Sequence, residues 1–136
     1  MSRTLPAFAL IGVLAACAPA QPYQMSDRDS QTLQRALADR TAGEPERCLP
    51  LASTRNSQVV DEKHILFKQG RTTWLNQPNM RCPLLDNVGY VMVLEPTVGT
   101  QICSGDVAKI LDTSTGGIMG ACALGDFVPY RTADKD

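Results

Sequence analysis

The chain is poor in the residues that most often carry chemistry. It has one histidine, His64, and one tryptophan, Trp74. Its formal net charge is −1 and it holds no Lys/Arg run. Nucleic acid is therefore excluded as a partner class, because phosphate backbones are held by clustered cations. No Cys-x-x-Cys or Cys/His pair has the spacing of a metal site. Asp112, Thr113, Ser114 and Thr115 with two glycines form a polar hairpin loop, lacking the Lys and spacing of a phosphate cradle. After residue 16 no apolar run approaches the about 20 residues that a membrane-spanning helix needs. Nothing here implies a cofactor.

What is present starts at the N-terminus. Arg3 supplies a positive charge, and Leu5 to Ala16 is almost wholly apolar, broken only by Pro6 and Gly12. The run is too short to span a bilayer and fits the apolar region of a signal peptide. It ends in Leu14-Ala15-Ala16-Cys17. That tetrapeptide resembles the bacterial lipobox: a branched apolar residue, two small residues, then a Cys that is diacylated on sulfur and becomes the new N-terminus. Residues 1–16 thus read as a signal peptide, and Cys17 as the lipidation site carrying palmitate-type chains. A plain secretory signal with an Ala-x-Ala cleavage site is the alternative. Ala18 rather than Asp follows the Cys, which points to the outer membrane, with the domain facing the periplasm. The expected partner is then the membrane itself through the anchor, each buried methylene contributing about 0.8 kcal/mol.

Besides Cys17 the chain holds Cys48, Cys82, Cys103 and Cys122. An even set in an exported domain reads as two disulfides. Val107–Leu111 and Ile118–Cys122 read as a hairpin around Asp112–Gly117, with Val107 opposite Cys122. Cys103 would then lie about 13 Å further along at ~3.3 Å per residue, beyond the ~7 Å reach of a disulfide. This disfavours Cys103–Cys122. The expected pairing is Cys48–Cys122 with Cys82–Cys103.

Residues 17–25, with two prolines and no periodicity, read as a lipidated tether. Residues 26–47 read as a short helix and linker. Ser26 can cap, Asp27 and Asp29 suit the first turn, and Leu33, Ala36, Leu37 and Arg40 follow helical spacing. The thin apolar stripe predicts a surface helix, ended by Thr41–Arg47 with its Gly43 and Pro45. Residues 48–130 form a β domain with strands expected at Cys48–Ala52, Gln58–Val60, His64–Phe67, Thr72–Leu75, Tyr90–Leu94, Val107–Leu111, Ile118–Leu124 and Phe127–Tyr130. Residues 131–136 make a polar tail. The class is mainly β: a small disulfide-stapled barrel or sandwich with one short N-terminal helix.

Several segments share a wider pattern. They are Cys48 with Leu49; Val59-Val60-Asp61 before Ile65-Leu66-Phe67; Gly70-Arg71 ahead of Asn76; Cys82-Pro83-Leu84-Leu85; Ile102-Cys103-Ser104-Gly105-Asp106; and Cys122 to Pro129. Together they resemble the DUF6491 type, small uncharacterised exported proteins of proteobacteria. Members often carry Gly where this chain has Leu84 and Ala123. The resemblance implies the four-cysteine framework and brings no activity.

Individual residues point to no catalytic set. His64 sits in a strand-like run with no nucleophile motif beside it and reads as structural. Asp61-Glu62 reads as a solvated turn. Gly105-Asp106 and Gly125-Asp126 read as turns whose carboxylates satisfy nearby amides. Arg71, Asp106 and Asp126 are the candidate binding residues, with an Arg71–Asp106 ion pair expected. Trp74 reads as core or rim. Met80, Cys82 and Met92 could suggest copper, but an oxidised Cys82 offers no thiolate.

These observations order the functions. A non-catalytic binding or structural module of the envelope comes first, with an envelope protein or cell-wall component as partner. An exposed apolar patch would favour that role. An inhibitor of a cell-wall hydrolase such as lysozyme is second, acting through an exposed loop at Ser104 or Ser114. A carboxylate-dependent hydrolase is third, and needs a pocket gathering Asp106, Asp126 and His64.

Overall fold

The computed structural model describes residues 22–133. The signal stretch 1–16, Cys17, residues 18–21 and residues 134–136 lie outside the described residues.

Helix α1 spans Asp27–Leu37 and is capped by Ser26, whose hydroxyl accepts from the Asp29 amide at 3.1 Å. Ten strands follow: β1 Arg40–Ala42, β2 Cys48–Pro50, β3 Ser57–Asp61, β4 His64–Gln69, β5 Thr72–Asn76, β6 Tyr90–Glu95, β7 Gln101–Cys103, β8 Val107–Asp112, β9 Ile118–Ala123 and β10 Phe127–Thr132. A 3-10 turn, Leu51–Thr54, follows β2. All pairings are antiparallel. A large sheet runs β1-β10-β5-β4-β3, a small sheet runs β6-β8-β9, and β2 pairs with β7 alone. The architecture is sandwich-like rather than a closed barrel.

The large sheet is buried on both faces. Ile65, Phe67, Trp74 and Phe127 point into the main core, where they meet Leu49, Ile102, Ala108, Ile110 and Leu124. On the opposite face Leu66 and Leu75, with Val60, meet Leu33, Ala36 and Leu37 of α1. The helix therefore covers the sheet with the stripe its spacing predicts. The small sheet closes the core from the other side through Tyr90, Met92, Leu94, Ala108, Ile110 and Cys122.

The disulfides join Cys48 to Cys103 and Cys82 to Cys122, correcting the expected pairing of Cys48–Cys122 with Cys82–Cys103. Strand β7, too short to stand out in the sequence, lies against β2 and sets Cys103 directly opposite Cys48. The neighbouring pair is hydrogen-bonded, Ser104 N to Arg47 O at 2.7 Å. Cys48 and Cys103 thus occupy a close, non-hydrogen-bonded position, where cross-strand alpha carbons approach most nearly.

Cys122 lies opposite Ala108, not Val107. The turn register expected from the sequence does hold at Leu111↔Ile118, but a bulge shifts the remaining pairs by one. A shift of one residue reverses which face each side chain takes. It turns Cys122 inward to Cys82, with alpha carbons 5.1 Å apart. Thr41–Arg47, read as the end of the helix segment, also contains part of β1, which edges the large sheet beside β10.

Candidate functional site

Strands β3 and β4 turn sharply at Glu62-Lys63. A bulge between Val59 and Asp61 alters the register there and leaves Asp61 opposite His64. Directly opposed residues share a face. Both side chains are consequently buried, Asp61 at 4% and His64 at 8% exposure. The expectation of a solvated Asp61 is corrected: the bulge turns its carboxylate inward.

A hydrogen-bonded chain runs through this corner. His64 Nδ1 lies 2.9 and 3.0 Å from the two Asp61 oxygens. Because a carboxylate accepts, Nδ1 donates. Asp61 also accepts from the Lys63 amide at 2.6 Å and from the Tyr23 hydroxyl at 2.5 Å. On the far side of the ring, Gln77 Nε2 lies 3.0 Å from His64 Nε2, with Gln77 donating in this orientation. Tyr23 comes from the segment read as tether, so part of that segment is docked on the domain. Its ring lies under Lys63 Nζ, 5.1 Å from the centroid, and the Arg81 guanidinium, 5.9 Å away, within cation–π reach.

Two acidities respond. Burial pushes Asp61 upward, but hydrogen bonds from Tyr23, the Lys63 amide and His64 outweigh it and hold the carboxyl below its usual range. Burial, followed by the hydrogen bond to and charge of Asp61, raises the Tyr23 phenol well above its usual range.

The position of Gln77 depends on a glycine. A Cβ on Gly125 would sit 2.1 Å from the Gln77 carbonyl oxygen. Fully buried Asn76 pins the same place, donating to the Gly125 carbonyl at 2.7 Å and accepting from its amide at 3.2 Å.

A carboxylate–imidazole pair has the parts of a general base. Here the outer nitrogen, which would take the proton, is occupied by Gln77, and both Asp61 oxygens are engaged. The arrangement works as a clamp joining the pre-helix segment, the β3–β4 turn and the segment after β5.

The sequence-derived candidates each have partners of their own. Asp106 accepts from Thr97, through both its amide and its hydroxyl, and from the Cys103 amide at 2.7 Å. The side-chain bond from Thr97 leads in holding its carboxyl low. It is a turn aspartate of the expected kind. Arg71 reaches Thr132 and the Ala133 carbonyl, so the expected Arg71–Asp106 pair is replaced on both sides. Asp126 is exposed and gives its carbonyl to Asn76. Among the described residues no three of His, Cys, Asp and Glu gather as a metal site. Ser114 turns its hydroxyl back onto Asp112 at 2.5 Å. Trp74 is core, as expected, with its indole N–H directed to Glu46.

Two surfaces among the described residues suit contact with a partner. A groove of about 680 Å³ runs between α1, the open edge of β3 and the segment 85–90. The outward face of the small sheet exposes Val91, Val93, Val107 and Ile118 on neighbouring strands. Tyr23 and Gln77 do not stand out in the sequence as site residues, and Asp61 reads there only as part of a solvated turn. The Asp-x-x-His spacing across a tight turn was a usable signal for one pair, while Tyr23 and Gln77 carry none. No family model, curated protein or solved structure matches the chain.

Proposed function

We propose that this protein is an exported bacterial lipoprotein, anchored through Cys17 to the outer membrane on its periplasmic side. Its domain binds an envelope protein or cell-wall component without catalysis. The observation that carries the non-catalytic reading is the closed chain Tyr23–Asp61–His64–Gln77. Among the described residues, this cluster of catalytic residue types is spent on holding three segments together.

Further support comes from the staples and the surface. Two disulfides suit an oxidising compartment. The apolar outward face of the small sheet suits a module that works by contact. Kinship with the DUF6491 type draws support from Leu84. This residue sits at φ +65°, a left-handed conformation natural to the glycine that members often carry there.

Two measurements test the reading. Cys17→Ser should abolish incorporation of labelled palmitate and move the protein from the membrane to the soluble periplasmic fraction. Unchanged membrane association would overturn the anchor. Crosslinking in intact cells, followed by mass spectrometry of the tagged protein, should capture one envelope protein reproducibly. Capture of nothing beyond abundant lipoproteins would overturn the binding role.

A further inference from the structure

The groove beside β3 has the features of a strand acceptor. Strand β3 pairs only with β4 and forms one edge of the large sheet. The Lys68 amide donates to the Asn56 carbonyl at 2.9 Å, which sets the phase of that ladder. Antiparallel bonding alternates along a strand, so Gln58 is the next residue bonded to β4. Ser57 and Val59 direct their N–H and C=O groups away from β4, and among the described residues nothing bonds to them. An uncovered edge of this kind is a template for another strand.

The walls give side-chain selection. Val59 packs towards the main core and Gln58 lines the surface under α1 with Thr32. A chain laid along β3 would alternate in the same way. One set of its side chains would face Val59, Leu85 and Tyr90; the other would face Arg28 and Thr32 of the helix. Asp29 and Asp86 line both this groove and the adjoining cavity around Tyr23. They bring two carboxylates to that end, from opposite walls.

We infer that the groove binds an extended polypeptide segment of a partner protein. The segment adds as a further strand on β3, alternates apolar and polar residues, and carries a basic residue at the end next to Asp29 and Asp86. This deepens the binding role proposed above and rests on it.

The test uses the purified full-length protein with its disulfides intact and a synthetic heptapeptide alternating valine and threonine with a lysine at one end. Amide NMR shifts should saturate and should be confined to Ser57–Val60 and Leu85–Tyr90. Two N-methylated peptides make the decisive comparison. Methylation of the amides facing β3 should weaken binding at least about tenfold, because the backbone bonds to the Ser57 and Val59 carbonyls are lost. Methylation of the alternate amides should leave binding within about twofold. Absence of saturable shifts at millimolar peptide, or equal affinity of the two methylated forms, would overturn the inference. So would shifts on Val91, Val93 and Ile118 instead. A photo-crosslinker in intact cells separates this from the broader reading. Adducts from Val93 but none from Gln58 would remove the groove and leave a binding module. Adducts from neither would remove both.

Discussion

The strands of the small sheet are richer in apolar residues than those of the large sheet, yet they are less buried. In β4 four successive residues, His64 to Phe67, are buried. In β6 half-buried and exposed residues alternate, although Tyr90 to Leu94 is apolar throughout. The difference lies in what covers each sheet. Helix α1 lies on the far face of the large sheet, and nothing among the described residues lies on the far face of the small one. Apolar content makes a strand, but burial requires a second layer.

If that comparison is right, mutations in the two sheets should differ steeply. The largest effect is expected in the doubly covered sheet. Phe67 is fully buried and packs on Phe127 at 5.8 Å between ring centroids. Phe67→Ala should lower unfolding free energy by about 3–5 kcal/mol in urea titration.

Next comes the staple between the small sheet and the loop joining β5 to β6. Replacing Cys82 and Cys122 together by Ala should remove about 2–4 kcal/mol. A loss below about 1 kcal/mol would mean that the small sheet holds without it.

Gly125→Ala forces a methyl against the Gln77 backbone and should cost about 1–3 kcal/mol. It should also broaden or shift the His64 ring resonances, because Gln77 is its partner. A stability loss with those resonances unmoved would detach Gly125 from the clamp.

Tyr23→Phe should cost about 1 kcal/mol at neutral pH, and its pH dependence is the sharper readout. The folded pKa of Asp61 is depressed, so its stabilisation is present above the unfolded value near 4 and is lost as pH falls through the folded value. The Tyr23 pKa is raised, so its share is present below about pH 10 and is lost as pH rises further. The gap between wild type and variant should therefore be full at pH 7 and close below about pH 4. A gap constant with pH would show that Tyr23 contributes packing alone.

The smallest effect belongs to the uncovered face. Val93, at 39% exposure, should tolerate Ala within about 0.5 kcal/mol in the same titration. A loss comparable with that of Phe67→Ala would end the distinction between the sheets.

Local signals were readable in the sequence because their causes are local. The Ser26 cap, the α1 stripe, the strong strands and the turns at Gly105 and Gly116 all appear where residue chemistry places them. Strands β1 and β7 were not readable. At three residues each they carry almost no periodicity and exist because β10 and β2 offer them a ladder. The same holds for the candidate site. Asp61 and His64 are near in sequence, but their shared burial depends on a bulge, and Tyr23 arrives from 38 residues away.

The sequence alone determined a mainly β domain with one capped helix and four cysteines suited to two disulfides, since these follow from composition, spacing and residue type. Only the tertiary structure decided which cysteines join, which way Asp61 faces and which strand edges stay open. Each of these depends on register, and register is set by pairing between distant segments, where a shift of one residue reverses every face.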